Sequence, residues 1–75
     1  MSYSILIKDN TTIVCAVLAL SDGHSSYVEM PMNEDDLEEE YEQLLIDRYL
    51  MQFYEYDSEG NALPLDYTVT SVTAP

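Results

Sequence analysis

Residues 3–8, Tyr-Ser-Ile-Leu-Ile-Lys, and residues 11–20, TTIVCAVLAL, are two apolar, β-branched runs separated by Asp9 and Asn10. Runs of this composition predict strands, and the polar pair between them predicts a hairpin turn. The second run is apolar at odd and even positions alike, which predicts a central strand covered on both faces. SDGHSS, residues 21–26, is loop chemistry. Tyr27 to Met30 predicts a short third strand that Pro31 is expected to stop.

The pattern changes at Asn33, which predicts the N-cap of a helix starting at Glu34. Acids fill its first turn, where the helix dipole favours them. Leu37, Tyr41, Leu44 and Leu45 recur at helical spacing and predict its packing stripe. From Leu45 to Tyr56 apolar residues fall on every side of a helical wheel. Residues 51–56 therefore read either as more helix, to about Tyr54, or as a strand; the strand is favoured because FYEYDSEGN runs into a glycine-containing turn. Residues 65–73, LDYTVTSVT, predict the return strand, with Leu65, Tyr67 and Val69 on one face. The expected fold class is α+β: one acidic helix, about residues 33–49, packed on a small antiparallel sheet of four or five strands. A length of 75 residues has room for a single domain, residues 1–75, with a small core.

Charge narrows the function classes. Fifteen Asp and Glu face two basic residues, Lys8 and Arg48, for a formal net charge of -13. Nothing here could neutralise phosphates, so a direct nucleic-acid partner is excluded, and an anionic membrane surface is disfavoured on the same ground. The longest apolar run, Ile13 to Leu20, is far short of the ~20 residues of a membrane helix. The opening MSYSILIKDN has neither the basic segment nor the cleavage site of a signal peptide. A soluble, cytoplasmic protein is expected.

The catalytic inventory is thin. His24 is the one histidine, and Asp22, His24 and Ser25 are too close in sequence to adopt triad geometry. Cys15 lies in an apolar run and reads as a buried side chain; with one Cys and one His, a zinc site is not expected. DSEGN at 57–61 has Ala62 where a calcium loop needs glycine, and no closing Glu, so it reads as a turn. Two glycines cannot make a phosphate loop. No enzyme, metal or cofactor is expected.

The acidic stretch is the informative feature. Between Glu34 and Glu42, nine residues carry seven acids: Glu34, Asp35, Asp36, Glu38, Glu39, Glu40 and Glu42. Laid on a helix they span about 12 Å, a charge density close to that along duplex DNA. Helical spacing would align Asp36, Glu40 and Asp47 on one edge and Asp35, Glu39 and Glu42 on another. Acids elsewhere add repulsion that a small core must withstand, which suggests that the charge serves a function. Seven tyrosines add candidate anchors, of which Tyr41 and Tyr49 would flank the acidic face.

On NEDDLEEEYEQ and overall charge, the chain resembles the small acidic phage-encoded inhibitors of host defence or DNA-processing proteins: anti-CRISPR, anti-restriction and uracil-glycosylase-inhibitor types, several of which are DNA mimics. The resemblance implies a non-enzymatic inhibitor working in the host cytoplasm. Its partner would be a basic nucleic-acid-binding host protein, with a CRISPR-Cas complex first and a restriction or repair enzyme next. The partner-binding residues would be Glu34, Asp35, Asp36, Glu38, Glu39, Glu40, Glu42, Asp47, Tyr41 and Tyr49. The competing expectation is an acidic adaptor or antitoxin-like binder without mimicry, and a third is a domain whose acidity serves solubility alone. A homodimer is left open.

Overall fold

The computed structural model describes residues 2–75. Strands β1 (Ser4–Lys8) and β2 (Thr11–Leu20) form the expected hairpin, with Asp9 and Asn10 at φ of 51° and 62°. Two central residues at positive φ make a type I′ turn, whose twist suits paired strands, and Asp and Asn tolerate that region better than other side chains. Lys8 lies opposite Thr11 immediately beside the turn, so this pair exchanges both of its ladder hydrogen bonds. The alternation then fixes the rest of β1. Ser4, Leu6 and Lys8 turn their backbone groups towards β2, while Ile5 and Ile7 turn theirs away from it.

Strand β3 (Ser25–Met32) pairs along the opposite side of β2, from Thr12↔Met32 to Ala19↔Ser25. It runs past Pro31 instead of stopping there. Pro31 lies opposite Ile13, whose backbone groups already face β1. The missing N–H of Pro31 therefore points out of the sheet, the one orientation in which a strand tolerates proline.

A 3-10 turn at Glu38–Glu40 leads into helix α1 (Tyr41–Met51), and strand β4 (Val69–Thr73) returns to β2 opposite Val17–Leu20. The sheet is thus antiparallel and four-stranded, with β2 central. One side of β2 is occupied by β3; the other is shared end to end by β1 and β4. A bulge at Thr70 lets two valines three residues apart face inward together, Val72 opposite Leu18 and Val69 opposite Leu20.

One face of the sheet carries the core. Val14, Ala16 and Leu18 of β2 are fully buried and pack with Met32, Leu45 and Tyr49. Leu45 and Tyr49 are one helical turn apart, so a single stripe of α1 seals the sheet. The α+β architecture, one helix on four antiparallel strands, is as the sequence predicts.

Four further expectations are corrected. Helix does not begin at Glu34: Asn33–Leu37 form a turn, because Asp36 is held by Arg48 and by the Asn33 N–H, as detailed below. Leu37 consequently leaves the packing stripe and is exposed. Residues 51–56 are not a strand, because α1 runs to Met51 and both sides of β2 are already filled. What remains of that prediction is a miniature hairpin, with a bridge between Tyr56 and Ala62 and a 2.7 Å bond from Leu63 N to Glu55 O. Its tip is the predicted DSEGN turn, where Asp57 Oδ1 accepts from Glu59 N and Asn61 N, both at 2.9 Å. The return strand starts at Val69, although Leu65, Tyr67 and Val69 are all half-buried, as their alternation predicts. Finally, β2 is covered on one face only. On the other, Ile13 and Val17 are half-buried with no second layer among the described residues. Cys15 is buried there because Glu29 Oε2 approaches its Sγ at 4.0 Å and accepts the Tyr27 hydroxyl at 3.0 Å. That bond to Glu29, and next the thiol, push the Tyr27 hydroxyl up to about 12.

Candidate partner-binding surface

The acidic stretch is a turn, a 3-10 segment and the first turn of α1 in succession, not a straight rod. Its anchor is Asp36. The Arg48 guanidinium clasps it with both arms, Nη1 to Oδ2 at 3.0 Å and Nη2 to Oδ1 at 3.1 Å. The Asn33 N–H donates to Asp36 Oδ2 at 2.7 Å, and the Asp36 N–H returns to Asn33 O at 3.1 Å. Arg48, and after it the Asn33 N–H, hold this carboxyl below the usual carboxylate range. Asp36 is thus committed inside the fold and is withdrawn from the phosphate-like set.

The other six acids of the stretch, Glu34, Asp35, Glu38, Glu39, Glu40 and Glu42, are all exposed, as is Asp47. No cation lies within ion-pairing distance of any of them among the described residues. Two have neutral partners: Glu42 Oε2 accepts from Ser2 Oγ at 2.8 Å, and Asp47 Oδ1 from Gln43 Nε2 at 2.8 Å. The helical edges expected from spacing do not form through Asp35 and Asp36, which precede the helix.

The two candidate tyrosines part company. Tyr41 is half-buried, with its ring 6.3 Å from that of Tyr3 at a 58° tilt. Tyr49 is 8% exposed, packed in the core and edge-on to Phe53 at 5.1 Å. A ring so placed cannot anchor a partner, and Tyr49 leaves the surface set.

Tyr3 was not singled out by the sequence. Burial raises its hydroxyl's pKa, and after burial the nearby Glu38, Tyr41 and Glu42 raise it further. The head of β1 therefore borders the acidic segment, through Tyr3 and the Ser2–Glu42 bond. No local signal joins residues 2–3 to 38–42; only the hairpin register brings them together. Beside this segment lies an open cavity of about 550 Å³, rimmed by Asn10, Thr12, Asn33, Glu34, Asp35 and Tyr41. Its rim offers carbonyl, hydroxyl and carboxylate oxygens, the chemistry that accepts hydrogen bonds from an inserted Lys or Arg.

Asp22 and His24 make only a local contact. His24 Nδ1 lies 3.1 Å from Asp22 Oδ2, and the His24 N–H donates to Asp22 Oδ1 at 3.0 Å in the exposed β2–β3 loop. Those contacts, the backbone one first, hold Asp22 below its ordinary value. No three His, Cys, Asp or Glu side chains converge as a metal-ligand group among the described residues, and no helix there is long and apolar enough to cross a membrane. Comparison of the chain with protein-family models, curated proteins and solved structures gives no match.

Proposed function

We propose that the chain is a non-enzymatic inhibitor that occupies a basic nucleic-acid-binding surface of a host protein, with its acidic segment standing in for phosphates. A CRISPR-Cas complex is the first target to test and a restriction or repair enzyme the second, acting in the host cytoplasm. The observation that carries the reading is the row of exposed carboxylates without cations: Glu34, Asp35, Glu38, Glu39, Glu40 and Glu42, with Asp47 further along α1. Leaving these charges unpaired costs stability through mutual repulsion, and a basic groove would relieve that cost on binding. Arg48, the one cation of this region, fixes the acidic turn through Asp36 and leaves the other carboxylates free. Tyr41, beside Tyr3, supplies apolar area at the margin.

The test is capture of the target from host lysate, then competition. A mimic is displaced by DNA or RNA, and its affinity falls steeply with salt. Reversal of Glu38, Glu39 and Glu42 to Lys abolishes binding, while reversal of Asp9 and Asp22 has a lesser effect. A captured partner that binds nucleic acid and this chain simultaneously would replace mimicry with the adaptor reading. Equal loss from both sets of reversals would remove the acidic segment as the binding face.

A further inference from the structure

The outer edges of the sheet at β3 and at β1 are not equally defended. On β3, the residues whose backbone groups face outward are Ser25, Tyr27, Glu29 and Pro31, by the same alternation that turns Pro31 out. A proline without a donor and a charged side chain are the usual means of blocking strand addition. On β1, the outward backbone groups belong to Ile5 and Ile7. The flanking side chains are apolar on both faces, with Ile5 39%, Leu6 46% and Ile7 63% exposed. The Leu45–Tyr49 stripe of α1 packs with Val14, Ala16 and Leu18 of β2, whereas all five residues of β1 are exposed. In a chain of net charge -13, the strand Ser4–Lys8 carries no acid and ends on Lys8, one of only two basic residues.

We infer that β1 pairs antiparallel with β1 of a second copy across a two-fold axis at Leu6, joining two four-stranded sheets into one of eight strands. The register is self-consistent. Centring on Leu6 sets Ile5 opposite Ile7 of the other copy, and both residues present their N–H and C=O outward, so the two symmetric pairs exchange four backbone hydrogen bonds. Leu6 meets Leu6 as the intervening pair, in which side chains approach most closely. Ser4 lies opposite Lys8, and no acid faces an acid along the seam. A seam of five residues is small beside the ~1,200 Å² and more buried in stable complexes, so the association is a concentration-dependent one. Because the axis stands perpendicular to the sheet, both helices, with their acidic segments, lie on the same face of the dimer.

Salt acts on this dimer in the opposite sense to target binding. Two chains of the same charge repel at long range, so screening tightens the pairing. Analytical ultracentrifugation of the whole chain reads this directly. The weight-average mass is expected to climb from 8.6 kDa towards twice that value with rising concentration, and to do so at lower concentration when salt is added. A monomer throughout, at up to roughly millimolar chain and with screening salt, overturns the inference.

Two sets of variants test the geometry. Ile7→Pro removes an outward N–H without touching a β1–β2 bond, and is expected to weaken dimerisation tenfold or more with the circular dichroism spectrum unchanged. A folded Ile7→Pro chain that dimerises as tightly as the parent sinks the seam. Should proline unfold the hairpin, cysteine cross-linking decides in its place, in a Cys15→Ser background. Leu6→Cys is expected to form a disulfide-linked dimer under mild oxidation, because directly opposed residues lie within disulfide reach. Ile5→Cys alone is expected to stay reduced, but to cross-link when mixed with Ile7→Cys. Cross-linking of Ile5→Cys as fast as Leu6→Cys would overturn the register.

Discussion

Residues 4–32 and residues 33–68 are built on different physics. The first region holds the hairpin and β3, with three of the fifteen acids: Asp9, Asp22 and Glu29. It is held by burial of alternate side chains and by one well-formed turn. The second holds the other twelve acids, one cation and α1. It is fastened at a few points: the Leu45–Tyr49 stripe, the Asp36–Arg48 clasp, and the edge-on contacts of Phe53 with Tyr49 at 5.1 Å and with Tyr67 at 6.4 Å. A small core can in this way carry a large charge. Repulsion is confined to a region that the sheet does not need for its own ladder.

The largest effect is expected in the core that the two regions share. Leu18→Ala empties a fully buried site under α1 and is expected to cost about 2–5 kcal/mol, read by urea denaturation. A cost below 1 kcal/mol would mean that the acidic region is not seated on β2. Next comes the turn. Asn10→Val places a β-branched residue at φ 62° and is expected to cost about 1–2 kcal/mol, with the loss appearing first in β1 amide exchange. An unchanged stability would show that the type I′ turn does not set the hairpin.

Smaller again is the clasp. Asp36→Asn removes the charge that Arg48 grips; the pair is part-buried at the rim of the core and Asn keeps a similar shape and one acceptor oxygen, so the melting temperature falls by less than in either variant above. Amide shifts should be confined to residues near Asn33–Glu40 and Arg48. The sign with pH follows from the lowered carboxyl of Asp36. The folded chain holds its proton less tightly than the unfolded one, so the clasp stabilises above the unfolded pKa, ordinarily about 4, and its contribution is lost as pH falls through the lower folded value. The melting gap between parent and Asp36→Asn should therefore be full at pH 7 and close under strong acid; a gap that widens there would refute the assignment. The smallest expected effect is that of salt on the whole chain: screening the twelve acids of the second region should raise the melting temperature by a few degrees at most. A fall would mean that attractive pairs outweigh repulsion.

The legible parts of the fold are those fixed by local chemistry. Asp9-Asn10 between two apolar runs specifies the hairpin, and of the stripe expected from helical spacing Leu45 is buried, Tyr41 and Leu44 are half-buried and Leu37 is exposed; Tyr49, one turn beyond Leu45, belongs to the stripe by the same spacing. The parts that escaped depend on contacts far apart in sequence. That Pro31 could remain in β3 follows from the β1–β2 register, and Asn33–Leu37 stay out of the helix because Arg48, twelve residues beyond Asp36, reaches back. The bulge at Thr70 brings Val69 and Val72 to one face at a spacing that simple alternation misses. In the acidic surface, residue type alone located the exposed carboxylates, but neither the capture of Asp36 nor the arrival of Tyr3 beside Glu38 and Glu42 has a local signature.

The sharing of one side of β2 by β1 and β4 also orders the assembly of the chain in time. β1, β2 and β3 meet through a two-residue turn and a four-residue loop, closures that cost little entropy and form on the microsecond scale of hairpins. β4 must instead bring Val69 to Leu20 around the whole acidic region, and its hydrogen bonds accrue only after that long loop has closed. The last strand is therefore the late step of folding. Its amides should open before those of the meander, leaving the half of β2 from Val17 to Leu20 transiently one-sided while the half from Thr11 to Cys15 stays paired.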